Sequence, residues 1–132
     1  MKVTHVDPPR KFGVGKRGGQ LSHVADLELE HDEVVTLRTA SGTEVDITRK
    51  SWGYYGTPSL NGRLREHGLR ACLAVGIPRE EGDPERIYLL LVEAGREDDF
   101  QDYIDAENMR VLHWLDSDES VAEAARRLGG HT

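Results

Sequence analysis

The N-terminal half of the chain contains three consecutive segments in which apolar and polar residues alternate. These segments are residues 24–30, 33–39 and 43–48. Strict alternation is typical of a strand with one buried and one solvent-exposed face. The short connections between them, residues 31–32 and 40–43, carry turn-forming Asp, Ser and Gly. The pattern therefore predicts an antiparallel meander of three strands with one face exposed to solvent.

Two near-continuous apolar runs follow, at residues 69–75 and 87–92. Runs that lack polar alternation favour strands buried on both faces. Between them, residues 77–86 contain two Pro, one Gly and several charged side chains. This composition predicts a long, exposed hairpin loop joining the two strands.

The C-terminal third of the chain predicts a helix, a strand and a second helix. Residues 95–108 place apolar side chains at helical spacing and acidic residues in the first turn, where the helix dipole favours negative charge. Residues 111–115 alternate as a short strand. Ser117 is positioned to cap a final helix that ends at Gly129.

The predicted order of elements is β-β-β-(α)-β-β-α-β-α, which indicates an α+β fold. We expect a mixed, mostly antiparallel sheet, built from the three-strand meander and a β-β-α-β unit, with about three helices covering one face. Residues 1–20 contain two Pro and four Gly, a composition that predicts a flexible basic arm. Since 132 residues suit one domain, residues 21–132 are predicted to form a single α+β domain.

Composition narrows the possible functions. Apolar residues make up 37% of the chain and charged residues 31%, which is enough for one modest core. The single cysteine, Cys72, excludes an intramolecular disulfide, and its apolar surroundings predict a buried, inert thiol. The six histidines lack the spacing of metal ligands, so we predict neither a metal nor a cofactor.

No apolar run approaches the length of a membrane span, so we expect no membrane association. The basic N-terminal segment also lacks the apolar stretch of a secretory signal, which favours a cytoplasmic location.

Charge is distributed unevenly along this acidic protein, whose net charge is −7. Residues 1–20 and residues 49–70 each carry five basic side chains against one acidic side chain, a net charge of +4 apiece. The remainder of the chain therefore carries −15, which disfavours binding to a nucleic-acid polymer. A small anion at one of the basic segments is compatible with this distribution.

Residues 49–65 are the strongest candidate for a binding site. This segment holds three aromatic residues, three Gly and four cationic side chains. Thr57 followed by Pro58 is typical of a helix N-terminus, and Gly68 of a helix C-terminus, so the spacing predicts a helix over residues 58–67. Leu60 and Leu64 would form its buried stripe.

The first-turn amides of such a helix would be free donors at the positive end of its dipole. Nearby arginines could neutralise a phosphate or carboxylate, and aromatic rings could stack on a base or a sugar. We therefore predict a binding or regulatory module for a small anionic, nucleotide-like or sugar-like ligand. The predicted ligand-binding residues are Arg49, Lys50, Trp52, Tyr55, Thr57, Ser59, Asn61, Arg63 and Arg65.

Three alternatives remain open. The aromatic residues of the segment could instead be core residues at a sheet edge, with the arginines paired to surplus acids. An enzyme could use Tyr54, Tyr55 or His23 as a proton donor or base. A protein-interaction adaptor could contact its partner through residues 96–108 or 77–86.

Two further motifs favour structural interpretations. His23 and Asp26 are three residues apart on a predicted strand, where we expect them to point to opposite faces, which argues against a shared role. The glycine-rich residues 13–19 lack the spacing of a nucleotide-binding phosphate loop.

Overall fold

The computed structural model describes residues 1–15, 19–78 and 80–129 of the chain. Its described part contains eight strands and three helices, which confirms the α+β class. The strands are β1 (Lys2–Val14), β2 (Gly19–Glu28), β3 (Val34–Arg38), β4 (Glu44–Lys50), β5 (Gly53–Gly56), β6 (Leu69–Gly76), β7 (Arg86–Glu93) and β8 (Met109–Trp114). The helices are α1 (Arg63–Glu66), α2 (Glu97–Ala106) and α3 (Asp118–Arg127).

The strands form three small antiparallel sheets. Their orders are β1-β2, β3-β4-β5 and β7-β6-β8. Because β7 and β8 are both antiparallel to the central β6, they run in the same direction, and α2 connects them.

A three-strand meander is present, although its strands differ from those predicted. The prediction that residues 24–30 pair with residues 33–39 is wrong, because β2 is hydrogen-bonded to β1 and the aromatic strand β5 is the third strand of the meander. Alternation identified strand-forming residues correctly, but it carries no information about which strands are neighbours.

The N-terminal residues differ from the irregular segment that their composition predicts. Residues 2–14 form β1, whose register with β2 shifts between His5 and Arg10. Pro8 and Pro9 lie inside this irregularity, where the missing N–H groups do not interrupt a regular ladder. Part of the predicted arm, residues 16–18, lies outside the described residues. The division into an arm and a domain stays a prediction.

The core is centred on β6, whose residues are buried on both faces as predicted. On one face, Leu69 and Ala71 pack with Leu64 of α1, and Leu60 and Val45 add to this cluster. On the other face, Cys72 is fully buried, and this burial raises the pKa of its thiol and keeps it protonated at neutral pH. The predicted burial of this thiol is therefore confirmed.

An arginine joins β6 to the elements that follow it. The Arg70 guanidinium lies 4.2 Å from the Trp114 ring centroid, and its Nε donates to Asp116 at 2.6 Å. Trp114 in turn makes an edge contact with Phe100 of α2. An ion pair with Glu97 at 3.5 Å completes this network, so α2 lies against the Arg70 face of the sheet.

The helices are divided between the two faces of this sheet, where the sequence predicts one covered face. Whereas α2 lies on the Arg70 face, α1 packs on the opposite face through Leu64. The N-terminus of α3 is capped by Ser117, as predicted, since its hydroxyl accepts from the Ser120 amide at 3.0 Å. The carbonyl of Ser120 contacts His113 Nε2 at 2.7 Å, which connects α3 to β8.

A carboxylate joins two of the three sheets. The hydroxyls of Thr39, Ser41 and Thr43, all in the β3–β4 turn region, donate to Oε1 of Glu93 at 2.7, 2.5 and 2.8 Å. These hydrogen bonds favour the charged form and lower the pKa of Glu93 to about 2. The meander is thereby attached to the end of β7.

We predict that Leu64→Ala lowers the free energy of unfolding by about 3 kcal/mol, because it leaves a cavity in the cluster beneath β6. Urea denaturation followed by circular dichroism measures this change. Leu128→Ala removes the same atoms from an exposed position and should change stability by less than about 0.5 kcal/mol. Equal effects of the two substitutions would contradict the assignment of the core.

A second prediction concerns acid stability. The pKa of Glu93 is lowered from 4.5 to about 2 on folding. The contribution of this carboxylate to the free energy of unfolding is therefore present above pH 4.5 and is lost as the pH falls towards 2. The melting temperatures of the wild type and Glu93→Gln should therefore differ at neutral pH and converge across this interval. Glu81→Gln, in the β6–β7 loop, serves as the control. A difference that does not change with pH would contradict the prediction.

Candidate functional site

The hairpin formed by β4 and β5 carries the aromatic half of the predicted site. We call residues 49–55 the aromatic hairpin. Trp52 lies in its turn, and Tyr54 and Tyr55 lie on β5, which is an edge strand. The three side chains are 69%, 58% and 41% exposed. This exposure excludes the alternative in which they fill the core at a sheet edge.

The two faces of the aromatic hairpin carry different aromatic groups. Tyr54 is paired with Arg49, whose guanidinium lies 5.3 Å from the tyrosine ring centroid. Tyr55 is paired with Thr48 on the opposite face. Its ring stacks with that of Trp52, with centroids 6.0 Å apart and an interplanar angle of 21°. An aromatic surface is therefore available on each side of the hairpin.

The cations of the aromatic hairpin are held by neighbouring groups. Nη1 of Arg49 donates to the carbonyls of Gly53, at 3.2 Å, and of Lys50. The ammonium of Lys50 forms an ion pair with Asp32 in the β2–β3 connection. This hydrogen bond raises the pKa of Lys50 and lowers that of Asp32. A ligand at Lys50 would therefore share this ammonium with an existing carboxylate.

The predicted helix over residues 58–67 is wrong at its start and correct at its end. Thr57 does not cap a helix, because its amide donates to the Asp46 carbonyl at 3.0 Å and its hydroxyl is bonded to Thr48. These bonds extend the pairing with β4 past the end of β5. The helix comprises only Arg63–Glu66, and Gly68 follows it with φ of +89°, as the C-terminal signal predicts.

The backbone amides at the start of the observed helix are used within the segment. The Gly62 and Leu64 amides donate to the Ser59 carbonyl at 3.3 and 3.1 Å, and the Arg63 amide lies 3.4 Å from the Ser59 hydroxyl. Asn61 is also engaged, since its Nδ2 donates to Asp118 of α3 at 2.9 Å. Because the helix begins at Arg63 and not at Pro58, the helix terminus at which the sequence predicts an anion site is not formed.

Arg63 and Arg65 are exposed, and no ion pair involves either of them in the part of the chain that the structure describes. Their neighbour Leu64 is buried and the partly buried Leu60 packs against it. Because Leu60 precedes the helix, the prediction that the two leucines form one helical stripe is wrong. The helix thus directs Leu64 into the core and leaves two cations in solvent.

The predicted ligand-binding residues fall into two groups. Thr57 pairs near the base of the hairpin, five residues from Trp52 in its turn, which corresponds to about 17 Å along an extended strand. One group comprises Arg49, Lys50, Trp52 and Tyr55. The other comprises Thr57, Ser59, Asn61, Arg63 and Arg65. Among the described residues, no hydrogen bond or ring contact joins one group to the other.

The remaining catalytic candidate, His23, lies on β2, in a different sheet from Tyr54 and Tyr55. Its Nε2 is 2.8 Å from the Asp26 carboxylate, so the expectation that these side chains point apart is wrong. The pair lies opposite the irregular part of β1, where the ladder departs from regular pleating. Among the described residues, no three His, Cys, Asp or Glu side chains are arranged to hold a metal ion.

The structure also contains a cleft that the sequence did not indicate. It has a volume of about 790 Å³ and lies between the end of the β1–β2 hairpin and α2. Its apolar lining includes Leu21, Tyr88 and Met109, and Asp99 and Asp102 lie at its acidic side. These residues come from separate elements, so no local motif could have identified the cleft.

Comparisons with protein-family models, with curated protein sequences and with solved structures found no match to this chain. Among the described residues, no helix is long and apolar enough to cross a membrane.

We predict that the fluorescence of Trp52 is more accessible to acrylamide than that of Trp114, because Trp52 is exposed and Trp114 lies between Arg70 and Phe100. The Stern–Volmer quenching constant of Trp114→Phe, which retains Trp52, should be larger than that of Trp52→Phe. Trp52→Phe, which retains Trp114, is the matched variant. Equal constants would contradict the described exposure of the hairpin turn.

Proposed function

We propose that this protein is a small cytoplasmic binding module that recognises an anionic ligand with a planar or ring-shaped part. The aromatic hairpin would be its contact surface. The observation that carries the proposal is the stacked, solvent-exposed pair of Trp52 and Tyr55 at a hairpin turn. We infer a binding role and assign no reaction to this surface.

Stacking supplies the main attraction in this proposal. Large aromatic side chains left in water are unfavourable, and burying them against a ligand recovers that free energy. Because Trp52 and Tyr55 already stack, little side-chain freedom is lost when a third ring adds to them. Each stacked base or sugar face contributes about 1–3 kcal/mol in comparable sites.

Positive charge supports an anionic substituent on that ligand. The Arg49 guanidinium lies beside Tyr54 with one nitrogen bonded to backbone carbonyls, so its other N–H groups can face a phosphate or carboxylate. Arg63 and Arg65 contribute to the local positive potential from the other end of the segment. The acidic remainder of the chain would limit binding of long polyanions.

The open shape of the hairpin favours one alternative, a protein-interaction adaptor. Trp, Tyr and Arg are the residue types that dominate binding energy at protein interfaces. The described clefts are lined by residues outside positions 49–65, so the rings project from a surface instead of enclosing a pocket. A partner surface could cover the same rings, with its acidic groups near Arg49.

We predict that adenosine monophosphate quenches the fluorescence of Trp52 in the Trp114→Phe variant. In calorimetry, Trp52→Ala should bind adenosine monophosphate at least about tenfold more weakly than the wild type does, which is the loss expected for one stacking contact. Arg49→Ala should weaken the binding of adenosine monophosphate more than the binding of adenosine, which has no phosphate. The control is Tyr103→Ala, which removes an exposed tyrosine from α2.

Ribose 5-phosphate and inorganic phosphate separate the contributions of ring, sugar and charge. If adenosine monophosphate, ribose 5-phosphate and inorganic phosphate all fail to bind at millimolar concentration, the small-ligand proposal is wrong. Binding that Trp52→Ala leaves unchanged would place the ligand elsewhere on the protein.

A further inference from the structure

The cleft beside α2 is walled by three separate parts of the fold. The end of the β1–β2 hairpin forms one wall, one face of α2 forms a second wall, and the sheet of β6 forms the floor. The floor residues are Gly76, Tyr88, Leu90 and Met109. The cleft volume of about 790 Å³ lies within the range of small-molecule binding sites, which are mostly apolar and carry a few polar groups.

The floor of the cleft is formed by only one face of β7. Tyr88 and Leu90 lie on the face of the sheet against which α2 packs. The other face of β7 is open, since Ile87 and Leu89 are 57% and 58% exposed. The predicted burial of residues 87–92 on both faces is therefore wrong, because β7 is an outer strand of its sheet.

The hairpin approaches α2 at a position that requires glycine. A Cβ atom at Gly15 would clash with the carboxylate of Glu107, which follows the end of α2. Gly15 also has a φ of +76°, a conformation that residues with a side chain rarely adopt. The close approach brings the hairpin end against the helix end, so that two elements far apart in the sequence enclose one space.

Every charged side chain among the described residues of this lining is acidic. These residues are Asp99, Asp102 and Glu107. The Asp99 carboxylate forms an ion pair with Arg96 at 3.3 Å. In the described part of the chain, the Asp102 carboxylate forms no hydrogen bond or ion pair. A carboxylate without a counter-charge, next to an apolar floor, favours a ligand with a positive charge.

Aromatic rings add to this preference for a cation. Asp99, Asp102, Tyr103 and Ala106 are spaced three and four residues apart, so that one face of α2 presents both carboxylates and a tyrosine ring to the cleft. The ring of Tyr88 lies on the floor. The face of an aromatic ring attracts a cation through its quadrupole, and it does so more strongly where water is excluded.

We propose that this cleft binds a small organic cation, in which an apolar or aromatic body carries an ammonium group. The body would lie on the floor against Leu90 and Met109, and the ammonium group would lie at the α2 wall beside Asp102. This site is separate from the aromatic hairpin, because the cleft is lined by residues outside positions 49–65. The two surfaces also favour ligands of opposite charge.

Two indole compounds of similar shape test the preference for a cation. Tryptamine carries an ammonium group, and tryptophol carries a neutral hydroxyl in its place. We expect calorimetry to give tryptamine a dissociation constant on the order of 0.1–1 mM, as suits a ligand of few atoms. Tryptophol should bind about threefold more weakly, since partly exposed charge pairs contribute modestly. Failure of tryptamine to bind at millimolar concentration overturns the proposal, and so does equal binding of the two compounds.

A charge-removing substitution tests the role assigned to the α2 wall. Asp102→Asn should weaken the binding of tryptamine about threefold and leave that of tryptophol unchanged, because the shape of the side chain is retained. Asp98→Asn makes the same chemical change at an exposed position of α2 outside the cleft, and should bind tryptamine as the wild type does. An equal effect of the two substitutions, or no effect of Asp102→Asn, overturns the proposal.

A cleft-filling substitution tests the location of the ligand. Ala106→Phe places a ring in the cleft and should weaken the binding of tryptamine and tryptophol by at least about fivefold, because it occupies the space of the ligand. Circular dichroism confirms that each variant is folded. Unchanged binding in folded Ala106→Phe overturns the proposal. Loss of tryptamine binding in Trp52→Ala would place the compound at the aromatic hairpin, which overturns the cleft proposal and leaves the proposed function intact.

Discussion

The central strand β6 is hydrogen-bonded along both edges, to β7 and β8, and buried on both faces. Every backbone group of such a strand needs a partner, and every apolar side chain needs a covering element. Leu64 supplies that cover on one face, and Trp114 and Phe100 supply it on the Arg70 face. The strand β6 therefore positions α1, which precedes it in the chain, and α2, which follows it.

Polar contacts attach the remaining elements to this core. Glu93 binds three hydroxyls of the β3–β4 region, and Asn61 binds Asp118 at the start of α3. Through them the meander and the segment after β5 are held against the sheet of β6. The aromatic hairpin projects from this anchored base, which leaves its rings in solvent while its strands stay paired. A rigid support with an exposed, pre-stacked aromatic pair is the arrangement that a recognition surface requires.

Some features of the candidate site follow from the residue pattern, and others do not. The concentration of aromatic and cationic residues at positions 49–65 was visible in the sequence, and the exposure of Trp52, Tyr54 and Tyr55 keeps that segment available for binding. Its division into two groups could not be predicted, because Thr57 satisfies both helix-capping and strand-pairing requirements. The partner that decided between them, Asp46, lies eleven residues earlier in the chain. Local capping preference, worth about 1 kcal/mol, is readily overridden by such pairing.

The sequence by itself determined the type of most elements and the α+β class, since hydrophobic periodicity and capping residues depend on near neighbours in the chain. It also determined the burial of β6, the cap at Ser117 and the helix end at Gly68. Only the tertiary structure decided that β2 pairs with β1, that β7 is an exposed edge and that His23 meets Asp26. An apolar run has the same composition at the centre and at the edge of a sheet. Its burial depends on which distant strands and helices pack beside it, and that choice is made by the whole fold.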